Sequence, residues 1–123
     1  MRFIDCVNRG DVEGLGELMT DNHTLQVFDE RPLVGKAANI DAWWSYTSSY
    51  PDYVIHPHQL SDDDGRVVVV GHTTGSHLAL ADDKEREVTV TWVAQVEGRL
   101  LTSWRIIEDT PQHRSELDLG LSS

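Results

Sequence analysis

The sequence contains very little cysteine and no long apolar run. Cys6 is the single cysteine among 123 residues, so a disulfide within the chain is excluded, and a lone thiol is typical of a reducing compartment. No apolar run is long enough to cross a membrane, and residues 1–20 alternate charged and apolar residues, unlike a signal peptide. The sequence therefore predicts a cytoplasmic protein.

Positive charge is also scarce. Lys36 and Lys84 are the only lysines, and 21 acidic residues against 10 basic ones give a net charge of −11. A surface of this sign repels phosphate groups and anionic lipid headgroups. We therefore expect no nucleic-acid partner and no membrane partner.

The length and composition are those of one globular domain. The chain has 39% hydrophobic and 25% charged residues, which is enough apolar sequence to form a core. The residues from about 111 onward are polar and begin with a proline, which predicts a loosely held tail. We expect a single domain over residues 1–123.

Hydrophobic periodicity predicts helices first and strands afterwards. Residues 2–19 have helical spacing with one break at "NRGD", and residues 36–50 form a second helical stripe. A short element at "LVG" comes before this second stripe. This order is typical of an α+β fold, in which helices cover the apolar face of an antiparallel sheet. Alternating, strand-like segments occupy residues 23–29, 53–60, 66–77, 87–97 and 99–108.

Aromatic residues are concentrated in one short stretch. Five of the nine Phe, Trp and Tyr residues fall within residues 43–53. Trp43, Tyr46 and Tyr50 share one helical stripe, and a phenol next to apolar surface needs a hydrogen-bond partner. The stretch has two interpretations: an aromatic part of the core, or the wall of a pocket.

Several motifs, in chain order, resemble the SnoaL-like members of the nuclear-transport-factor-2-like superfamily. They are "NRGD", "LMTDNHTLQVFD", "GKAANIDAWWSY" with "YPDY", "GHTTGSH" and "SWRIIED", and they span about residues 3–110. The resemblance implies a cone-shaped fold, in which a strongly curved antiparallel sheet wraps around the N-terminal helices. It also implies an internal apolar cavity at the open end, with the aromatic helix forming one side.

The resemblance covers several chemistries, which differ in their sites. The catalytic positions of the ketosteroid isomerases fall on Phe3, Val27 and Trp92, which cannot carry out the required proton transfers. The sequence therefore argues against that isomerase mechanism. SnoaL-type cyclases often carry Trp followed by Asp on the final strand, whereas this chain has Trp104 followed by Arg105.

Two residues are candidates for acid/base chemistry, Asp29 and His72. Asp29 follows the first predicted strand near the expected cavity mouth and is a candidate base, or alternatively an ordinary turn residue. His72 and His77 flank Gly75 and point to opposite faces in a regular strand. One of the two is therefore expected to reach the cavity, and the sequence does not decide which. The residues expected to line the ligand site are His23, Val27, Trp43, Tyr46, Tyr50, Trp92 and Trp104.

His56 and His58 lie two residues apart, a spacing at which both point to the same face of a strand. A metal ion can use that spacing, but no third ligand is evident in the sequence. We predict no metal site and no cofactor, and expect the pair to be solvated or to lie at an interface.

The sequence predicts that the chain binds a small hydrophobic or aromatic molecule. Two classes remain open: a cofactor-free acid/base enzyme, and a binding module without chemistry. A third, a transport adaptor, is supported only by the analogy of fold. We also expect a homodimer, which is common in this fold, because Val93, Leu101 and Ile107 make one sheet face more apolar than a solvated face requires.

Overall fold

The computed structural model describes residues 2–28 and 30–108, which form helices and a single sheet. The predicted tail beyond residue 111 lies outside this part of the chain. None of the helices within it is long and apolar enough to cross a membrane. The elements in chain order are α1 (Arg2–Arg9), α2 (Val12–Glu17), β1 (Met19–Val27), β2 (Leu33–Val34), α3 (Lys36–Ser49), β3 (Val54–Asp63), β4 (Arg66–Thr74), α4 (Asp82–Glu85), β5 (Val90–Glu97) and β6 (Leu100–Glu108).

The break predicted between the first two helices is present at "NRGD". Gly10 adopts a left-handed conformation with φ of 67°, which a residue without Cβ adopts without strain. Asp11 is the N-cap of α2, and its carboxylate accepts a hydrogen bond from the backbone N–H of Gly14 at 3.0 Å. These two residues end one helix and begin the next.

The sheet has six strands in the order β2-β1-β6-β5-β4-β3. Most neighbours are antiparallel, as expected, but β1 and β6 pair in parallel, so the sheet is mixed. The register shifts at one extra residue in β3 (His58) and at one in β6 (Thr102), and such bulges bend strands. The result is the predicted α+β fold, a curved sheet with helices against its concave face.

The two faces of the sheet bury different clusters. Trp92, Ala94 and Trp104 belong to the main core with α1 and α2, whereas Val68, Val93 and Ile107 form a separate cluster. The argument for a dimer assumed that Val93, Leu101 and Ile107 lie exposed on one sheet face, and this assumption was wrong. Val93, Ile107 and Leu101 are only 6%, 6% and 4% exposed, and Leu101 belongs to the main core.

Asn39 fixes α3 against the first strands. It is fully buried, and its side-chain nitrogen lies within hydrogen-bond distance of the carbonyl oxygens of His23 (3.1 Å), Leu33 (3.1 Å) and Gly35 (2.8 Å). One amide therefore joins β1, the segment at β2 and the start of α3. This contact positions the aromatic stripe of α3 over the sheet.

The segment after β4 differs from the prediction. β4 ends at Thr74 rather than at residue 77, and β5 begins at Val90 rather than at residue 87. Gly75 (φ of 69°) turns the chain between them, and the short helix α4 forms between the two predicted strands. This irregular segment forms part of the site described next.

Candidate functional site

A cavity of about 420 Å³ lies between α3 and the concave face of the sheet. This is within the range of small-molecule sites, which are mostly apolar with a few polar groups. Its mouth is formed by half-exposed apolar residues that include Phe28, Leu78 and Val88. The wall is formed by Leu25, Val27, Ala42, Trp43, Tyr46, Tyr53, Thr73, Ser76, His77, Thr89, Val90, Trp92, Ile106 and Ile107.

Four residues predicted to line a ligand site lie on this wall: Val27, Trp43, Tyr46 and Trp92. Trp43 and Tyr46 meet edge to face, with ring centroids 6.4 Å apart. They come from successive turns of α3, whose inward stripe was visible in the sequence. The aromatic helix therefore contributes both to the core and to the wall.

Three other predicted residues do not line the cavity. Trp104 is fully buried against Phe3, with ring centroids 4.7 Å apart. His23 is also fully buried beside Phe3, and its Nδ1 lies 2.8 Å from the carbonyl oxygen of Leu101. Tyr50 borders a separate surface groove of about 290 Å³, and it meets the site through ring contacts with Tyr46 and His77, whose centroids lie 4.8 Å and 6.2 Å from its own.

The pKa of His23 is lowered by its environment. Burial disfavours the imidazolium form, and the hydrogen bond to Leu101 partly opposes this effect. A neutral ring that donates from Nδ1 satisfies that contact. His23 is therefore a core residue of the folded chain.

His72 lies on the opposite face of the sheet from the cavity. Thr73 lines the cavity, and side chains alternate along β4, so His72 points outward. Its Nδ1 is 2.7 Å from Nε2 of His58, and its ring stacks on His56 with centroids 4.5 Å apart. The prediction of His72 as a catalytic residue of the cavity is therefore wrong. His77 is the histidine of "GHTTGSH" that lines the cavity.

The three outer histidines form a cluster that the sequence did not predict. Burial lowers the pKa of His72, and the neighbouring His56 and His58 lower it further. Nε2 of His56 is 2.9 Å from the Thr74 hydroxyl. Within the described residues, no group of His, Cys, Asp or Glu side chains is arranged to hold a metal ion.

Asp29, the predicted base, lies outside the residues that the structure describes. Its role stays a prediction. The preceding residue, Phe28, has a left-handed backbone with φ of 52° and lies at the cavity mouth. Its backbone N–H donates to the carbonyl oxygen of Ile106 at 2.8 Å, which ties this rim to β6.

Tyr46 and His77 form a polar pair on the cavity wall. The Tyr46 hydroxyl is 2.9 Å from Nδ1 of His77, and it also accepts the backbone N–H of His77 at 3.3 Å. Burial raises the pKa of Tyr46, the backbone contact to His77 opposes this, and the nearby Glu85 and Tyr50 raise it further. The phenol is therefore neutral near pH 7, and the pair consists of a phenol hydroxyl and an imidazole ring.

Glu85 is a fully buried acid next to the cavity wall. The hydroxyl of Thr73 donates to its Oε2, and the backbone N–H of Ser76 donates to its Oε1 at 3.4 Å. Thr73 and Ser76 both line the cavity, so the carboxylate lies directly behind the wall. The sequence analysis left this residue between two strand-like segments and gave it no role.

Comparison with known proteins identifies the family. The family model described as "SnoaL-like domain" matches residues 1–104. The chain belongs to this family. A search of curated protein sequences finds no match.

Solved structures of this fold share little sequence with the SnoaL-like chain. SalBIII, an epoxide hydrolase/cyclase-like enzyme in pyran ring formation in polyether salinomycin, is 20% identical with a TM-score of 0.70, over 85% of this chain and 83% of that one. A nuclear-transport-factor-2-like protein of unknown function from Cytophaga hutchinsonii is 11% identical with a TM-score of 0.68, covering 95% and 88%. These likenesses show the fold alone.

A third protein with a similar solved structure binds a pigment. The Orange Carotenoid Protein of Anabaena (Nostoc) sp. PCC 7120, solved binding canthaxanthin, is 19% identical with a TM-score of 0.69. The match covers 90% of this chain but 35% of that one, so the SnoaL-like chain corresponds to part of the larger protein. The fold is therefore found both in an enzyme described as cyclase-like and in a pigment-binding protein.

The positions that correspond to isomerase catalytic residues carry apolar or aromatic side chains in this SnoaL-like chain. Val27 and Trp92 line the cavity, whereas Phe3 lies in the core. None of the three has a side chain that titrates in the ordinary pH range. The argument against that mechanism rests on these residue types and stays a prediction.

The sequence analysis did not name four residues at the cavity: Tyr53, Thr73 and Ser76, which line it, and Glu85, which bonds to Thr73 and Ser76. Tyr53 immediately precedes β3, and the alternation of that strand places it on the inner face with Ile55. This signal was present in the sequence. No comparable signal marked Glu85, because its burial depends on contacts between α4 and β4.

Proposed function

We propose that this protein binds a small, largely apolar organic molecule in the cavity between α3 and the sheet. The observation that carries the proposal is the apolar cavity of about 420 Å³ with its few polar wall groups, among them Tyr46, Thr73 and His77. Binding sites for small organic ligands have this composition. The binding of canthaxanthin by a protein of the same fold is consistent with it.

A cavity-filling variant tests this proposal. Ala42 lies on the wall, so Ala42→Phe places a ring in the cavity, whereas Ala37 is exposed on the same helix, and Ala37→Phe is the matched control. We expect 2-methoxynaphthalene to bind the parent chain and Ala37→Phe, and to bind Ala42→Phe at least about tenfold more weakly in isothermal titration calorimetry. Equal affinity of 2-methoxynaphthalene for the three chains contradicts the proposal, and so does a parent chain that binds neither 2-methoxynaphthalene nor 2-naphthol.

A second candidate function is cofactor-free acid/base catalysis in the same cavity. The observation that favours it is the contact between Tyr46 and His77 on the wall, since a positioned imidazole next to a phenol can exchange protons with a bound ligand. Either Tyr46 donates to Nδ1, or Nδ1 donates to Tyr46 and leaves Nε2 free to accept a proton. The cyclase-like description of SalBIII is consistent with this class.

One variant, His77→Gln, distinguishes the two proposed functions. If His77 exchanges protons, turnover of a cyclisable or epoxide-bearing substrate is lost in His77→Gln, while binding of 2-methoxynaphthalene is retained. If the chain only binds, the parent leaves every such substrate unchanged.

We further propose a reducing, cytoplasmic setting, with which the single buried thiol of Cys6 is consistent.

A further inference from the structure

Glu85 occupies an environment in which a glutamate is rarely found. Its side chain is 0% exposed, whereas its neighbours in α4, Asp82, Asp83 and Lys84, are exposed. Within the described part of the chain the carboxylate forms no ion pair, and its hydrogen bonds come from Thr73 and Ser76. Burying a charge without a cation is costly, so this arrangement needs a reason beyond packing.

The hydrogen bond to Glu85 decides what Thr73 offers to the cavity. A threonine hydroxyl has one proton and two lone pairs, and here the proton is directed to the carboxylate. Thr73 itself lines the cavity. Its oxygen is therefore left as an acceptor, and donation of its proton to the Glu85 carboxyl group strengthens that character.

Tyr53 supplies a donor on the same wall. Thr73 pairs with Ile55 in the sheet, and Tyr53 lies two residues before Ile55, so Tyr53 and Thr73 are diagonal neighbours on the inner face. Burial raises the pKa of Tyr53, and the nearby Tyr46 and Glu85 raise it further, so its phenol keeps its proton. Within residues 2–28 and 30–108 its hydroxyl has no hydrogen-bond partner.

We infer that the cavity selects ligands that carry a hydroxyl group, which donates to Thr73 and accepts from Tyr53. Glu85 is the positioning residue, because it holds the Thr73 proton away from the ligand. This inference rests on the proposed binding function and names its ligand class, a phenol or alcohol on an apolar body. A ligand that carries only acceptors, such as an ether or a ketone, places its partially negative oxygen next to the partially negative Thr73 oxygen, and the two repel each other.

A matched pair of probes tests the inference on the unmodified protein. The probes are 2-naphthol and 2-methoxynaphthalene. The first has a hydroxyl group that can donate a hydrogen bond to the Thr73 oxygen, and the second has a methyl group in place of that hydrogen. We expect 2-naphthol to have a Kd at least about tenfold lower in isothermal titration calorimetry, since a hydrogen bond to a charge-assisted acceptor has about that effect. Equal Kd values overturn the inference and leave the proposed function standing, whereas no binding of either probe overturns both.

Variants then assign the preference to Glu85. Glu85→Gln keeps the shape but removes the charge, and Glu87→Gln changes an exposed residue two positions along as its control. The preference for 2-naphthol should fall to about twofold or less in Glu85→Gln and persist in Glu87→Gln, while the Kd of 2-methoxynaphthalene stays within about twofold. A preference that persists in Glu85→Gln overturns the positioning role.

Thr73→Val provides a second route if Glu85→Gln does not fold. It removes the acceptor while keeping the branched side chain, and circular dichroism shows whether the fold is kept. We expect the same loss of preference as in Glu85→Gln. An unchanged ratio of the two Kd values in a folded Thr73→Val protein contradicts the inference.

Discussion

The hydroxyl of Tyr46 lies 2.9 Å from Nδ1 of His77, across the gap between α3 and the loop that follows β4. The two residues are 31 positions apart in the chain. Their contact joins the aromatic helix to the irregular segment that carries Ser76 and His77. It therefore closes one side of the cavity with a polar pair on a mostly apolar wall.

Replacing Tyr46 with Phe should affect binding more than stability. The ring stays, and the imidazole of His77 is exposed and can bond to water instead, so we expect Tm to change by no more than a few degrees. The Kd for 2-naphthol should rise about two- to tenfold, because a polar wall group is lost. Tyr50→Phe, which lies at the separate groove, is the control and should leave Kd unchanged. A large drop in Tm with an unchanged Kd contradicts the assignment of Tyr46 to the wall.

Replacing Asn39 with Asp should strongly destabilise the fold. The substitution keeps the shape but replaces a donor that faces three carbonyl oxygens with a carboxylate oxygen. Because the site is fully buried, we expect a loss of about 3 kcal/mol or more in the free energy of unfolding, measured by urea denaturation. Asn22→Asp, at an exposed position in β1, should cost less than about 0.5 kcal/mol. Similar losses in the two variants would show that the amide is not a structural contact.

Mild acid should destabilise the chain through His23. Its pKa is lowered from 6.5 by burial, so the folded state favours the neutral ring. The stability that this provides is fully present above pH 6.5 and is lost as the pH falls from 6.5 toward the lowered pKa. We expect Tm to fall between about pH 7.5 and 5.5, before ordinary carboxylates titrate. His23→Gln retains a donor for Leu101 and does not titrate, so its Tm should fall less over the same range. Parallel curves for the two proteins would argue against this origin.

Self-association should weaken in acid if the outer sheet face forms a dimer interface. The homodimer stays a prediction, and the cluster of His56, His58 and His72 now gives it a testable pH dependence. Protonation places like charges within one small cluster on that face, so the dimer constant should fall as the pH decreases from about 8 to 5.5. Sedimentation equilibrium at both pH values measures this change. A monomer at micromolar concentration, or a dimer constant that does not change with pH, counts against the prediction.

The sequence by itself determined most of the elements of this fold and the inward or outward direction of side chains along β5. Helical spacing and the "NRGD" break are local, because they depend on residues within a few positions and on the left-handed Gly10. Alternation along β5 likewise placed Trp92 and Ala94 inward and Val93 outward. The aromatic stripe of α3 also predicted that Trp43 and Tyr46 would lie together.

Only the tertiary structure decided which polar groups meet at the cavity. Alternation predicted that His72 and His77 lie on opposite faces, but only the tertiary structure decided that His77 lines the cavity and His72 lies outside. Trp104 was predicted for the wall, but packing against Phe3 places it in the core. The parallel pairing of β1 with β6 and the burial of Glu85 behind Thr73 depend on contacts between distant segments. Such contacts are set by the register and curvature of the whole sheet, which no local pattern of residues encodes.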